Sequence, residues 1–442
     1  MHPYKIEKIL ELKDKLEFQS SNEVITYKFG MPLNLTHHFY SNVQAFQKKY
    51  KNYTKICLAQ EDIFDFSCAF FAAISMGKSI LILPNYKLGT LKKYESEYDY
   101  FSTEKAFKTN HTNSIPKSLS LKLNTTISLF TSGSNGKPKK IVKLFKNLWF
   151  ECENLERHFG NQIAGSIIAG SVSHFHIYGL IFRILWPFYA NRKIENHLIF
   201  FPEDLSRLKN INENITFISS PAFLKRMVHN FKHFTKPIKI FSSGGPLEQN
   251  IAKQINKYTQ SFPVEIYGST ETGGIAYRNQ NDNNNRWTIF EGIKVSTDIQ
   301  GCLKVTSPYI PNYDYQTSDL ATIFTDKKIA LRGRIDRTFK IEEKRISLDH
   351  MENILRGHDS IDDAYCLILN KNDRDFIAVI IAENAKWNTL SKLDKIKRIK
   401  SFLNLHFENV LLPKKFHFLR EMPYNEQSKI VKSDVIGIFN EQ

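Results

Sequence analysis

Paired cysteines are missing from this sequence. Its five cysteines (Cys57, Cys68, Cys152, Cys302 and Cys366) are scattered, with no CxxC and no histidine at zinc spacing. An odd, unpatterned set argues against a secreted disulfide framework and favours a reducing, cytoplasmic setting. Uninterrupted apolar runs are missing too. "FSCAFFAAISMGKSILIL" carries Lys78 and "GLIFRILWPFYA" carries Arg183, so both read as buried helix and strand, not as transmembrane spans. The first residues, "MHPYKIEKILELKDKLEF", are charged and helical in pattern and hold no apolar signal core. Acidic charge is short as well. Against 61 Lys+Arg stand 45 Asp+Glu, a formal net charge of +16. That balance favours anionic partners, although a lysine-rich surface also serves solubility alone. The basic residues are dispersed and match no nucleic-acid motif, so no nucleic-acid partner is expected.

What is present is a chain of 442 residues, 42% hydrophobic and 24% charged, long enough for more than one domain. Short apolar runs alternate with helical patterns. "SILILP", "SIIAGSV", "HLIFFP", "IKIFSSG" and "VEIYGS" read as strands, and "PAFLKRMVHNF" and "LEQNIAKQINKY" as helices. This alternation predicts α/β layers with buried, largely parallel strands. Near Trp287 the pattern changes: "WTIFEGIKVSTDIQGCLKVTS" alternates with turn glycines, as in a small antiparallel, barrel-like part. From about "RGRIDRTFK" onwards, roughly 100 residues suffice for a small α+β domain.

Five stretches hold residues suited to chemistry. "LFTSGSNGKPKKIVK" (Leu129–Lys143) combines hydroxyls, glycines and lysines after a strand-like approach, a mixture that suits a polyphosphate but is not a Walker A loop. "EIYGSTETGG" (Glu265–Gly274) sets an aromatic, hydroxyls and one carboxylate after a strand, fit to stack on a base and hold magnesium. "YQTSDLA" puts a lone Asp319 at the end of a strand-like run, where a carboxylate can accept ribose hydroxyls. "GRIDRTFKIEEKRISLDHME" (Gly333–Glu352) brings a turn glycine, two arginines and a charged hairpin. "MPYNEQSKI" presents Lys429 in a polar loop.

In order and separation this set resembles the adenylate-forming (AMP-binding) superfamily, which includes acyl- and aryl-CoA synthetases, firefly luciferase and peptide-synthetase adenylation domains. The family's phosphate loop, [ST]-S-G-[ST]-T-G-x-P-K, corresponds to "TSGSNGKPK". Its Y-G-x-T-E corresponds to "YGSTE", its Y-x-T-G-D to "YQTSD", its G-R-x-D-x-x-x-K hinge to "GRIDRTFK", and its terminal P-x-x-x-x-G-K to "PYNEQSK". "SHFHIYGL" resembles the stretch beside the acyl pocket, and "FSSGGPL" the adenine-binding turn.

The resemblance implies an N-terminal adenylation domain over residues 1–333 and a small mobile lid over 334–442, with a hinge near Asp336. It implies that Thr131, Ser132, Gly133, Ser134, Asn135, Gly136 and Lys137 wrap the β- and γ-phosphates of ATP. Tyr267, beside Gly268 and Ser269, would stack on adenine, with Gly244 and Gly245 as the neighbouring wall. Thr270 would touch the α-phosphate, Glu271 would hold Mg2+, and Asp319 with Arg334 would bind the ribose. Lys429 would be the catalytic lysine bridging the acid and the α-phosphate. His176, Tyr178, Gly273 and Gly274 would line the pocket for the carboxylic acid.

The implied activity is an acid–thiol ligase: an aryl or medium acyl acid becomes its adenylate with release of pyrophosphate, and the acyl group then passes to a thiol. The acceptor would be coenzyme A or the phosphopantetheine of an acidic acyl carrier protein, which the basic composition suits. An adenylate-only or amide-forming ligase, or a catalytically lapsed nucleotide-binding protein, are the other readings. Asn135, Ser318 and Ser428 depart from the family pattern, and Glu343 stands where the hairpin glycine is usual. A carboxylate at Glu343 would repel the phosphates of coenzyme A.

Overall fold

The computed structural model of the protein describes residues 24–27, 33–83, 85–106, 118–131, 139–209, 214–233, 238–281, 286–341, 344–371, 374–387, 389–425 and 430–440. They pack into two compact units. The larger holds the described residues up to Lys294 together with Val305–Tyr315. The smaller holds Val295–Lys304 and the described residues from Gln316 onwards.

In the larger unit, β1 (Val24–Tyr27) pairs antiparallel with β5 (Leu119–Lys122). A five-stranded sheet is formed by β2 (Lys55–Leu58), β3 (Ser79–Ile82), β4 (Tyr100–Ser102), β6 (Thr126–Thr131) and β7 (Lys139–Leu144), in the order β4–β2–β3–β6–β7. The first four are parallel, and β7 returns antiparallel to β6 with Thr131 opposite Lys139. The helix Ile63–Met76 precedes β3 and buries nearly its whole length. Its start is fixed by Asp62, whose carboxylate accepts the Asp65 N–H. This apolar stretch is thus helix and then strand, as the interrupting Lys78 implied. Among the described residues no helix is long and apolar enough to cross a membrane.

The second sheet of this unit runs β14–β13–β12–β11–β10–β8–β9. Its strands are β8 (Ile167–Gly170), β9 (Ile194–Leu198), β10 (Ile215–Ser219), β11 (Ile238–Ser242), β12 (Val264–Ser269), β13 (Gly273–Asn279) and β14 (Trp287–Ile289). β9 to β12 and β8 are mutually parallel where they pair, while β13 and β14 turn back antiparallel. One face buries Phe217, Ile240, Leu224, Ile251 and Ile255 in a common core. The other meets the helical run Ile177–Tyr189, where Phe182 and Trp186 pack on Phe241. Parallel strands covered on both faces read as near-continuous apolar runs, which is why the sequence pattern announced them.

One expected strand is misplaced. "HLIFFP" was expected to be extended throughout, but β9 stops at Leu198, and Phe200 and Phe201 are exposed. Pro202 opens a helix instead, and Asp204 accepts both the Phe200 and Phe201 N–H groups at 3.0 Å. Proline suits a first helical turn, and a carboxylate in that turn satisfies the donors just before it.

β15 (Lys294–Thr297), β16 (Cys302–Thr306), β17 (Asp314–Ile323) and β18 (Lys328–Arg334), most of whose residues belong to the smaller unit, lie side by side in that order. The sequence predicted a barrel-like part here. Among the described residues no sheet closes on itself, and these strands form an open array. Beyond them, β19 (Thr338–Ile341) and β20 (Lys344–Ser347) form a hairpin. A three-stranded sheet follows, of β21 (Ile361–Lys371), β22 (Arg374–Glu383) and β23 (Lys415–Leu419). The helices Leu348–Arg356 and Lys392–Leu403 bury Met351, Leu355, Ile399 and Leu403 against that sheet, giving the expected α+β arrangement.

Candidate active site

Ligands in open α/β sheets bind beyond the carboxyl ends of parallel strands, and most of the expected site residues of the larger unit lie there. After β8 come His176, half-buried, and Tyr178, whose ring packs on Phe182 at 4.7 Å. After β11 come Gly244 and Gly245, both exposed. Tyr267, Gly268 and Ser269 end β12. Tyr267 is half-buried with its ring 5.7 Å from that of Trp287. Thr270 and Glu271 form the following turn, and Gly273 and Gly274 begin β13.

That turn is tightly built. Ser269 N–H donates to the Thr272 hydroxyl at 3.0 Å, and Thr272 N–H returns to the Ser269 hydroxyl at 3.2 Å. Gly268 faces Gly273 so closely that a Cβ would lie 2.2 Å from the Gly273 carbonyl oxygen. Only glycine permits the two strands to converge there, and the register shifts at this point.

Glu271 is 18% exposed, and its Oε1 lies 3.5 Å from the Nζ of Lys139, the first residue of β7. Lys139 also stands over the ring of Tyr315 at 5.8 Å. Thr131 ends β6 opposite Lys139. Ser132, Gly133, Ser134, Asn135, Gly136 and Lys137 lie outside the described residues, as do Glu343 and Lys429. The structure therefore brings the strands that flank the phosphate-loop motif and the glutamate turn together in one unit.

Glu271 suits magnesium. Among the described residues no cluster of three or more acidic, histidine or cysteine side chains gathers. A single carboxylate matches the way Mg2+ is usually held, by one or two carboxylates with nucleotide oxygens and water.

In the smaller unit, Asp319 Oδ1 accepts from Arg334 Nη1 at 3.0 Å, and Arg334 grips Asp336 with Nε and Nη2 at 2.9 and 2.8 Å. The Asp336 hydrogen bonds hold the Arg334 guanidinium well above its ordinary pKa. Asp319 was expected at the end of a strand. It sits inside β17, at an irregularity between Asp319 and Ala321 opposite Arg334. The irregularity re-aims a mid-strand side chain, which strand patterning alone does not reveal.

Sequence reasoning missed a set of buried polar residues behind the Glu271 turn. Lys143 on β7 is fully buried, and burial lowers its pKa against the opposing pull of Glu151 and Glu271. On the helix Phe145–Phe159, Asn147, Glu151 and Asn154 form a buried polar stripe at spacings of four and three. Burial raises the Glu151 carboxyl, opposed by Lys143 and by the Gly274 N–H. Two signals were available: the in–out alternation of β7, which puts Lys143 on the same side as Ile141, and the helical spacing of the stripe. His174 was passed over in favour of His176. It is buried, its Nε2–H donates to the Gln60 carbonyl at 2.9 Å, and burial lowers its pKa to about 4.

Comparison with known proteins settles the family. Residues 61–295, slightly more than half of the chain, match the family described as AMP-binding enzyme. The chain belongs to the AMP-binding enzymes. Among curated relatives it is 24% identical over 187 residues to zwittermicin A synthase ZmaJ of Bacillus cereus, covering 42% of this chain and 32% of that protein. The chain thus spans about a third of that relative's length. It is 22% identical over 361 residues to the D-alanine–D-alanyl carrier protein ligase of Staphylococcus aureus, covering 72% of each. The fold is shared with ATP-bound MatB from Rhodopseudomonas palustris, with a TM-score of 0.76 at 13% identity over 91% of this chain and 93% of the other. This AMP-binding enzyme accordingly has the layered architecture its motifs implied.

Proposed function

We propose that the protein is an ATP-dependent acid–thiol ligase. It would activate an aryl or medium acyl acid as the acyl-adenylate, then pass the acyl group to the thiol of an acyl carrier protein or coenzyme A. The observation that carries this reading is the convergence of Glu271, in the turn just after β12, with Lys139, the last residue of the phosphate-loop motif, at 3.5 Å.

In the first half-reaction a carboxylate oxygen attacks the α-phosphorus of ATP, and the bond to the pyrophosphate oxygen breaks. An anion approaches a polyanion, so catalysis must consist of positioning and charge neutralisation. Thr131, Ser132, Gly133, Ser134, Asn135, Gly136 and Lys137 would hold the β- and γ-phosphates. Lys429 would neutralise the charge where acid and α-phosphate meet, and Thr270 would orient that phosphate. Tyr267, Gly268, Ser269, Gly244 and Gly245 would hold the adenine, and Asp319 with Arg334 the ribose. Glu271 would hold Mg2+, whose role when bound is to offset phosphate charge. His176, Tyr178, Gly273 and Gly274 would border the acid.

In the second half-reaction a thiol sulfur attacks the acyl carbon, its proton leaves to solvent, and AMP departs with the acyl–oxygen bond electrons. Residues 334–442 would act as a lid turning about Asp336, withdrawing Lys429 and presenting the β19–β20 hairpin. The net charge of +16 favours an acidic carrier protein as acceptor. All five cysteines are buried free thiols, in keeping with a reducing, cytoplasmic setting.

The test is pyrophosphate release with ATP, magnesium and a panel of aryl and fatty acids, run beside Lys429→Ala. Release that depends on one acid and falls at least 100-fold in the variant, about 2.7 kcal/mol of barrier, is the expected result. Addition of carrier protein or coenzyme A then identifies the acceptor. ATP binding without release for any acid would sink the ligase reading.

A further inference from the structure

β7 carries two lysines four residues apart with opposite fates. Lys139 is 56% exposed, whereas Lys143 is fully buried. Burying an ammonium costs several kcal/mol unless its protons find acceptors, and an aliphatic side chain would fill the same space without that cost. What Lys143 gains is specific: its Nζ donates to the backbone carbonyl of Glu271 at 2.9 Å and to that of Tyr309 at 2.7 Å. Both carbonyls belong to irregular backbone, where no strand partner is at hand.

The helix that follows β7 completes the arrangement. Asn147 donates to the Pro308 carbonyl at 2.8 Å, and Asn154 to that of Glu291 at 2.9 Å. Glu151 accepts the Gly274 N–H at 2.8 Å. The Glu271 turn is therefore pinned on both sides by buried charge, its carbonyl by an ammonium and the strand that leaves it by a carboxylate. Glu271 itself reaches out from the pinned backbone toward Lys139.

We propose that Lys143 is a positioning residue of the active site. Its buried ammonium fixes the backbone of Glu271, so that the carboxylate meets the metal–nucleotide complex in one place. This deepens the ligase reading and rests on its assignment of Glu271 to Mg2+. Lys143 touches neither substrate nor metal and acts only through the turn. Loss of its charge would strand the buried Tyr309 carbonyl and the half-buried Glu271 carbonyl and let the turn relax into several conformers.

The experiment uses the full chain with Lys143→Met, Lys143→Arg and, as reference, Glu271→Gln. Two readouts are taken: the free Mg2+ needed for half-maximal ATP binding, by calorimetry at graded Mg2+, and deuterium uptake of the peptide covering residues 268–274. Lys143→Met should raise the Mg2+ requirement about 10-fold, in the range seen when partners of metal ligands are removed, approaching the Glu271→Gln value. It should speed exchange in that peptide while the Pro221–Met227 helix exchanges as in the parent. Lys143→Arg, which keeps the charge and the donors, should restore most of both.

An unchanged Mg2+ requirement in folded Lys143→Met overturns the proposal. So does an exchange increase spread evenly over the unit, or a parent protein whose ATP binding ignores Mg2+. Should Lys143→Met fail to fold, Lys143→Gln keeps a donor on a shorter stem and is judged by the same outcomes. Pyrophosphate release from the same samples separates the two ideas. A parent that binds Mg2+ and ATP but releases nothing with any acid defeats the ligase reading, while the Mg2+ requirement still decides the role of Lys143.

Discussion

The two units hold Glu271 and Asp319 in opposite ways. Glu271 stands on a turn whose backbone is gripped from inside the fold by Lys143 and Glu151, both buried. Asp319 is held by Arg334, a side chain 46% exposed that is shared with Asp336. Buried polar contacts are costly to leave unmade, so they specify one geometry. Exposed ion pairs contribute little and can break and re-form on a reaction timescale. Under the reading proposed above, the fixed acid would face Mg2+ and the acid in the exposed ion pair would face the ribose. The expectations below test that contrast, from the largest effect downwards.

The rigid side should be the most sensitive. Gly273 follows the Glu271 turn with φ +69°, and a Cβ there would lie 2.6 Å from Glu151 Oε2 and 3.1 Å from the Tyr309 side chain. Gly273→Ala combines left-handed strain with overpacking against a buried carboxylate, a loss of about 3 kcal/mol. Urea unfolding should show a lower midpoint at unchanged slope. A midpoint equal to the parent's would mean that the turn is free to shift, and the contrast would collapse.

Next comes the buried histidine of the same unit. His174 has its pKa lowered to about 4, chiefly by burial, with Arg183 and His176 adding to the fall and the Gln60 carbonyl and Asp62 opposing it. Folding therefore favours the neutral ring. Above the unfolded pKa of about 6.5 both states are neutral and the contribution is complete. As pH falls from there to about 4, the unfolded chain takes a proton that the folded one refuses, and stability drops by about 3 kcal/mol. Unfolding free energies at pH 7, 5.5 and 4.5 should fall less steeply in His174→Gln. Glu151, whose raised pKa acts in the reverse sense, is present in both proteins and cancels in the comparison. Identical slopes would show that His174 is not the buried neutral group described here.

Much of this was legible in the sequence, and for identifiable reasons. Tyr267, Glu271 and the glycines around them lie within a few residues of one another, so one motif names them and a β12–β13 turn delivers them. Parallel strands buried on both faces announce themselves as apolar runs. Lys143 was not legible, because its acceptor at Glu271 is 128 residues away and lysines are almost always exposed. Glu151 reads as a solvated helix position until its spacing with Asn147 and Asn154 is noticed. Asp319 was found but misplaced, since an irregularity inside β17 leaves no mark in an alternating pattern. The end of β9 was missed because Phe200 and Phe201 look like core residues, and only Pro202 and Asp204 say otherwise.

The smallest stability effect belongs to the exposed side. Arg334→Met removes the guanidinium that spans Asp319 and Asp336, yet the exposed pair should contribute no more than about 1 kcal/mol to folding. Thermal unfolding should shift by only a few degrees, and the shift should shrink at high salt, which screens such pairs. The functional consequence should be out of proportion. With Asp319 no longer oriented, ATP affinity should fall by about 10-fold, close to the 1.4 kcal/mol of one charge-assisted hydrogen bond. Stability and binding would then be separable at Arg334, as they cannot be at Gly273. A loss of about 3 kcal/mol or more in folding would place Arg334 with the buried residues as structural framework, and the contrast with Glu271 would fail.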